Sequence, residues 1–457
     1  MTATLDRLRH SRSALAHAVS RSTWRQAARM GRADASVAPA VRVGLAVGVV
    51  LIGGGLLGHP EFAGFAALGA LVSAFGRYEP YPRRAGKLTV VGVLIAVYAT
   101  FGAVLGASTT SFAVQASAIS VAAGIAALLL AAFEITGPGP VILIFSATAG
   151  VGFGHAATDV AAVFAAVVIG AVIGWVAAML PALLHPVGPA QLAVARALAA
   201  VDTRQQTPAR AAIARARTVV ALSNGRRPRE HSLGLVTLLD DAEALLDAWA
   251  RGDEASHAQD VLAHERALRK MRRYDALPVR AAELSSRPKS FFTTGLERLT
   301  SKSLLLNAVR IAAAAATAAW CATAFGFEHP LWATMGALAA MQGITFHTTV
   351  QRGIQRLLGN VGGAVVAAGL IALSLGYWQT TVAIVVCQIA AELLVMRNYA
   401  LTSLAITPMA LMMTGLAGHL SPSVVIDRIA DTLIGVLVGV VIAAVTIEAG
   451  DRQHVVR

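Results

Sequence analysis

Long apolar runs without charge constrain this chain more than any other feature of its sequence. From Leu88 to Phe133 it contains no acidic or basic side chain, whereas Gly188–Lys302 is dense in both signs. About 20 consecutive apolar residues suffice for a helix to cross a bilayer. Because 56% of the residues are hydrophobic and only 14% are charged, we predict an all-α, polytopic membrane protein with a helical insertion outside the membrane.

The apolar part of the chain divides into two corresponding halves. Each half has a His-Pro pair at the start of an apolar segment and two basic residues further on, which we interpret as a basic turn. The matched positions are His59, Pro60, Arg83 and Lys87 in the first half, and His329, Pro330, Arg352 and Arg356 in the second. The offsets are nearly constant, since 329 − 59 = 270 and 356 − 87 = 269. This pattern predicts an internal repeat.

We predict six membrane-spanning helices in each half, about twelve in all. They lie near Val41–Leu57, Pro60–Phe75, Leu88–Leu105, Phe112–Phe133, Val141–Phe153, Val160–Leu184, Leu304–Phe325, Leu331–Phe346, Leu357–Leu375, Trp378–Met396, Ala400–Gly418 and Val424–Ile447. The predicted domains are an amino-terminal arm (1–40), a first repeat (41–185), a helical insertion (186–303), a second repeat (304–448) and a tail (449–457). Because six is an even number, the two repeats are expected to be parallel.

Basic residues favour one orientation in the membrane. Lys and Arg concentrate in alternate loops, while intervening loops such as GASTT and GHAATD have none. The positive-inside rule therefore predicts a cytoplasmic insertion and cytoplasmic termini in the plasma or inner membrane. Arg428 fits poorly, because it lies one turn into the last span from the outside. The arginine-rich arm is open to two interpretations, an amphipathic helix on the anionic leaflet or a frayed basic tail.

The sequence argues against several functional classes. The formal net charge of +13 is what basic cytoplasmic loops produce, and no nucleic-acid-binding module is recognisable. No phosphate-binding loop, nucleophile elbow or zinc-ligand spacing is present, so we expect neither an enzyme nor a cofactor or metal. The expected partners are a small organic anion and the lipid bilayer, with homo-oligomer formation left open.

Ionisable residues in or near the apolar spans are the candidate functional residues. A charge at the bilayer centre costs about 2.5–3.5 kcal/mol and commonly marks a pathway. Glu392, Glu134 and Asp431 are candidates for proton coupling, although Glu392 and Asp431 have alternative roles as ion-pair partners of Arg397 and Arg428. The candidates for a substrate-attracting basic vestibule are Arg42, Arg310, Arg83, Lys87, Arg352 and Arg356. For Arg42 and Arg310 the alternative is a role as topology anchors near the cytoplasmic interface.

Four motifs carry a resemblance to a known family. They are HPLWA at His329–Ala333, Q-R-x3-R-x2-G at Gln351–Gly359, Thr407-Pro408, and R-x2-D-T-x2-G at Arg428–Gly435. The chain resembles the fusaric acid resistance protein-like family, which includes bacterial aromatic acid exporters and is related to plant malate channels. The resemblance covers both halves and the insertion, but it is degenerate in the first half, where Glu61-Phe62 replaces Leu331-Trp332.

The resemblance implies a two-half membrane module that exports hydrophobic or aromatic carboxylic acids by using the proton gradient. Two other hypotheses remain open from the residues. The basic vestibule also fits an organic-anion channel, and the helical insertion fits a non-transporting envelope protein that docks a partner.

Overall fold

The structure is a computed structural model that describes residues 11–31, 36–154, 156–223, 230–253, 258–270, 290–343, 345–416, 423–447 and 451. These residues form helices and connecting loops, with no strand among them. The helices are α1 (residues 11–18), α2 (Arg21–Ala27), α3 (Val37–Leu56), α4 (Pro60–Ala70), α5 (Tyr81–Ser108), α6 (Phe112–Ala132), α7 (Val141–Phe153), α8 (Ala157–Met179), α9 (Pro181–Leu184), α10 (Gly188–Asp202), α11 (Gln206–Ser223), α12 (Glu230–Arg251), α13 (Ala258–Arg269), α14 (Phe291–Leu299), α15 (Lys302–Ala324), α16 (Leu331–Ala340), α17 (Phe346–Ala372), α18 (Tyr377–Leu394), α19 (Tyr399–Gly415) and α20 (Ser423–Val445).

All twelve predicted membrane segments contain a helix, but the helices differ in length. Within the described residues, eight are long and apolar enough to cross a membrane. The other four are shorter apolar helices, at Pro60–Ala74, Val141–Phe153, Leu331–Ala340 and Tyr399–Gly415. The short helices are the second and the fifth of each predicted half. The chain is therefore an all-helical membrane protein with eight helices of spanning length in its described part.

The predicted basic turn in the second half is wrong. Arg352 and Arg356 lie inside α17, which begins at Phe346. Thr345 and Thr348 form a capping box, in which each side chain bonds the backbone N–H of the other residue. This cap starts the helix about three turns before the apolar sequence begins at Leu357. In the first half, Arg83 and Lys87 likewise lie inside α5 and not in a turn.

The chain divides into two compact units. One comprises the residues up to Phe75, Val90–Ala177 and the residues from Gly295. The other comprises Gly76–Thr89 and Ala178–Thr294. Within this second unit, α10 to α13 bury one alanine- and leucine-rich core, with Val194, Leu198, Leu239 and Leu246 fully buried. The predicted helical insertion is therefore helical in its described residues.

Residues 11–31, here called the amino-terminal strap, belong to the first unit and pack on its other helices. Ala14 and Ala27 share a buried cluster with Phe346, Val350 and Ala444. The frayed-tail interpretation is therefore wrong for these residues. Residues 1–10 and 32–35 of the predicted arm lie outside the described part of the chain, as do residues 452–457 of the tail.

Small residues bring helix backbones together at the same place in both halves. In α8, a Cβ at Gly170 would overlap the carbonyl oxygen of Ala66, and a Cβ at Gly174 would lie 2.5 Å from that of Ala70. Later in the chain, α20 repeats this packing on α16. A Cβ at Gly435 would overlap the carbonyl oxygen of Ala333, and one at Gly439 would lie 3.1 Å from that of Ala337. Each half thus packs a Gly-x3-Gly stripe of its last helix on an Ala-x3-Ala stripe of its second helix.

Contacts between the two halves are also reciprocal. The first helix of one half packs against the fourth helix of the other, since α3 contacts α18 and α15 contacts α6. The second helix of one half approaches the fifth of the other. Here α16 contacts α7, and Gly64 of α4 lies against the carbonyl group of Met413 in α19.

We expect Gly435→Ala to destabilise the protein by roughly 1–3 kcal/mol, because the new methyl group forces α20 away from α16. Thermal unfolding of the purified protein in detergent, followed by size-exclusion chromatography, measures the effect. The matched control is Gly369→Ala in α17, where a Cβ meets nothing within 4 Å. Equal melting temperatures for the two variants would contradict close α16–α20 packing.

Candidate functional site

A hydrogen-bond network joins three helices near their midpoints. Asn360 of α17 donates from Nδ2 to the Thr432 hydroxyl of α20 at 2.6 Å, and accepts from the Thr407 hydroxyl of α19 at 2.8 Å. All three side chains are buried. Their positions lie near the middle of helices 27, 23 and 17 residues long. Because polar groups in hydrocarbon must find partners within the protein, this network fixes the three helices relative to one another.

Beside this network lies a group of charged and aromatic side chains, here called the central cluster. It consists of Arg352, Arg356, Tyr399, Arg428 and Asp431. Arg356 donates to the Tyr399 hydroxyl oxygen at 3.2 Å, and the Arg352 guanidinium lies 4.9 Å from the centre of the Tyr399 ring. Arg428 interacts electrostatically with both Arg356 and Asp431. The cluster therefore spans three helices, α17, α19 and α20.

The central cluster has an excess of positive charge. Arg356 is 4% exposed, Arg428 is 5% exposed and Asp431 is fully buried. No ion pair connects any of the three arginines to a carboxylate among the described residues, and the Nε atom of each arginine is buried without a hydrogen-bond partner there. The two carboxylate oxygens of Asp431 also lack a hydrogen-bond partner in the described part of the chain. Asp427 also interacts electrostatically with Asp431. Buried charged residues of this kind in membrane helices commonly mark a functional site.

A wide cavity lies at one end of these helices. It has a volume of about 1450 Å³, and Lys302, Arg310, Gln342 and Thr446 are among its lining residues. Arg310 donates to the Thr446 hydroxyl at 2.8 Å. Gln342 accepts a hydrogen bond from Arg352 at 3.0 Å. Two cations and one carboxylate, Asp451, thus line the cavity, and Gln342 connects it to the central cluster.

A second, smaller cavity lies at the start of α16 and the end of α19 and is here called the aromatic cavity. It has a volume of about 270 Å³ and is lined by residues that include Phe65, Phe145, Phe153, His329, Trp332 and Met413. The Trp332 ring stacks on His329 at 4.5 Å, and the Arg428 guanidinium lies 4.9 Å from its centre. Trp332 therefore connects the aromatic cavity to the central cluster. The two cavities share no lining residue.

The structure brings together only some of the residues predicted for substrate binding. Arg352 and Arg356 join the central cluster, and Arg310 lines the wide cavity. Arg42 instead donates to the carbonyl oxygen of Ser73 at 2.9 Å. Arg83 and Lys87 belong to the second compact unit, where both face the same carboxylate. Lys87 Nζ is 2.5 Å and Arg83 Nε is 3.9 Å from an oxygen of Glu79.

The three predicted proton-coupling carboxylates have different surroundings. Asp431 lies in the central cluster. Glu392 is 7% exposed and lies in the last turn of α18. Glu134 follows the end of α6, where it is exposed and forms an ion pair with Arg298. Of the three, Asp431 lies closest to the middle of its helix.

Sequence reasoning missed four residues of the site. Arg428 was considered only as an exception to the topology, as a possible ion-pair partner of Asp431 and as part of a family motif. Trp332 appeared only in a family motif, and Tyr399 and Asn360 were assigned no role. An asparagine near the middle of an apolar helix is a usable signal, because its amide needs partners that lipid does not supply. Tyr399 and Trp332 carry no comparable signal, since aromatic residues are common in membrane helices.

These features define a class: an all-helical membrane protein with a buried cluster of arginines and two separate cavities. Residues 315–442, which include the whole central cluster, match the family described as fusaric acid resistance protein-like. The predicted resemblance to this family is therefore confirmed. The chain is also 26% identical over 462 residues to YvaC, an uncharacterised membrane protein of Bacillus subtilis (strain 168), a match that covers 88% of this chain and 71% of that protein. No solved structure matches the chain significantly.

We expect Asn360→Ala to destabilise the protein by about 1–3 kcal/mol, because interhelical hydrogen bonds in membranes contribute about 0.6–1.7 kcal/mol each. Unfolding of the protein in mixed micelles of increasing denaturing detergent measures this loss. Gln379→Ala, at an exposed position on α18, is the control. If Asn360→Ala and Thr432→Val are strictly additive in the double variant, the hydrogen bond between these residues contributes nothing.

Proposed function

We propose that the protein is a secondary exporter of small hydrophobic or aromatic organic acids, coupled to protons. The observation that carries the proposal is the central cluster, in which Arg352 and Arg356 contact Tyr399 and Arg428 interacts electrostatically with Arg356 and Asp431. Buried cations of this kind commonly mark a pathway for ions or substrates. An organic carboxylate would bring a negative charge to a cluster that contains three arginines and one aspartate. Arginine recognises carboxylates through paired N–H donors.

The two cavities support a pathway through the cluster. The wide cavity offers Lys302 and Arg310 to an arriving anion, and Gln342 connects it with Arg352. The aromatic cavity offers rings to the apolar part of the same molecule. Because the two cavities share no lining residue and are connected only through Gln342, the central cluster and Trp332 among the described residues, a carrier that alternates between the cavities is favoured over an open channel.

The remaining parts of the proposal concern arrangement and location. The reciprocal contacts and the two Gly-x3-Gly stripes support two parallel six-helix repeats, of which the second and fifth helices are short. We place the protein in the plasma or inner membrane, with both termini and the α10–α14 region on the cytoplasmic side, as the distribution of basic residues predicts. Transport, and not catalysis, is the proposed activity, without a cofactor.

The decisive experiment measures movement of radiolabelled benzoate and hydroxybenzoate in proteoliposomes. Arg428→Gln and Arg356→Gln should each slow transport at least about tenfold, because hydrogen bonds to charged groups contribute roughly 1.5–3 kcal/mol. Arg428→Lys, which retains the charge, should be less impaired. Arg215→Gln, at an exposed position on α11, should be unchanged.

Three outcomes would overturn parts of this proposal. Currents that reverse at the equilibrium potential of the anion would identify a channel. Full transport by both glutamine variants would exclude the central cluster from the pathway. A stoichiometric protein partner, together with no transport of any acid tested, would support the non-transporting alternative.

We expect Asp431→Asn to remove the response of transport to an imposed pH gradient, because the amide cannot bind or release a proton. The amide keeps the shape of the side chain and loses no hydrogen bond to a described residue, although it no longer attracts Arg428. Initial rates with and without a pH gradient measure this effect. Glu392→Gln should also reduce transport if that carboxyl takes part. Glu134→Gln, which removes an exposed ion pair, is the control. A pH response in Asp431→Asn equal to that of the unaltered protein would exclude Asp431 from coupling.

A further inference from the structure

The amino-terminal strap has two chemically different faces. One face packs on the protein, through the buried residues Ala14, Thr23 and Ala27. Its backbone is held by side chains of the second half. Asn398 donates to the carbonyl oxygens of Ala27 and Arg29 at 2.9 and 3.0 Å, and Gln355 donates to that of Ala27 at 2.9 Å. This face explains why a short helical segment has a defined position.

The other face is both apolar and strongly basic. Leu15, Val19, Trp24 and Met30 are exposed, with Val19 at 79% and Met30 at 67%. Arg12, Arg21, Arg25 and Arg29 are exposed too, and residues 11–31 contain no Asp or Glu. None of these four arginines forms an ion pair with another described residue. A surface that combines large apolar side chains with unpaired arginines fits the interface of an anionic membrane.

The place of the strap in the fold agrees with this chemistry. It packs where α17 begins at Phe346 and where α20 ends at Val445, and it bonds the loop that follows α18 at Leu394. Three helices of membrane-spanning length therefore begin or end beside it. At the ends of such helices the hydrocarbon gives way to phospholipid headgroups, and tryptophan is enriched at this level.

We propose that the outward face of the amino-terminal strap is a binding surface for the headgroups of anionic phospholipids, with Leu15, Val19 and Trp24 inserted among the acyl chains. The segment is thus held from both sides, by its alanines on the protein and by its arginines and apolar residues on the lipid. It differs from a free amphipathic helix, because Asn398 and Gln355 fix where on the membrane surface it lies.

The test reports the environment of Val19 directly. A polarity-sensitive fluorophore is attached to Val19→Cys in a Cys321→Ala, Cys387→Ala background, and the protein is placed in nanodiscs of phosphatidylcholine with or without phosphatidylglycerol. Emission should shift to the blue in the anionic nanodiscs and return towards the red as salt screens the charges. Inorganic phosphate at equal ionic strength should have no further effect, since the ligand is a membrane surface.

The matched variants carry equal changes in charge. Replacing Arg12, Arg21, Arg25 and Arg29 by Gln should abolish the blue shift, because each arginine near an anionic surface favours binding by roughly fivefold. Replacing four exposed arginines of the second compact unit, Arg204, Arg210, Arg215 and Arg251, should leave it unchanged. Identical emission in both kinds of nanodisc, or an undiminished shift in the first quadruple variant, would overturn the proposal. The fluorescence measurement requires no transport, so it tests lipid binding by the strap independently of the proposed transport function.

Discussion

Close approach of helix backbones is the constraint on which the rest of this structure depends. Apolar side chains gain little by leaving lipid for protein, so membrane helices associate through tight packing and hydrogen bonds. Here the carbonyl oxygens of Ala66 and Ala333 approach Gly170 and Gly435 so closely that a Cβ at either glycine would overlap them. In the second half this packing holds α20 against α16. It thereby fixes the helix that carries Arg428 and Asp431.

The hydrogen bonds of Asn360 add a second constraint on the helices that the glycine packing brings together. Packing sets the distance between α16 and α20, and it also brings α17 close to α19, where a Cβ at Gly359 would overlap the carbonyl oxygen of Ala400. Asn360 joins both α19 and α20 to α17 at mid-helix. With these helices fixed, Arg356 reaches Tyr399 and Arg428 reaches Trp332. These buried arginines and Asp431 keep hydrogen-bonding capacity that no described residue fills.

Whether a predicted basic residue belongs to the central cluster depends on the side chains that lie beside it. Arg83 and Lys87 resemble Arg352 and Arg356 in sequence context, and the correspondence between the halves predicts equal roles. Yet Glu79 lies beside the first pair, whereas the second pair meets Tyr399 and Gln342. The predicted turn was misplaced for a local reason. The capping box of Thr345 and Thr348 begins α17 in polar sequence, before any apolar periodicity is visible.

The sequence by itself determined that this is a membrane protein, where its twelve apolar segments lie, and that Arg352, Arg356 and Asp431 are functional candidates. These conclusions rest on local composition, because a bilayer imposes length and polarity on each segment separately. Only the tertiary structure decided which charges share a buried site and which have neutralising partners. Asn360 and Thr432 are 72 residues apart, and Arg356 and Tyr399 are 43 apart. No local pattern encodes such pairings, since they depend on which helix faces pack together.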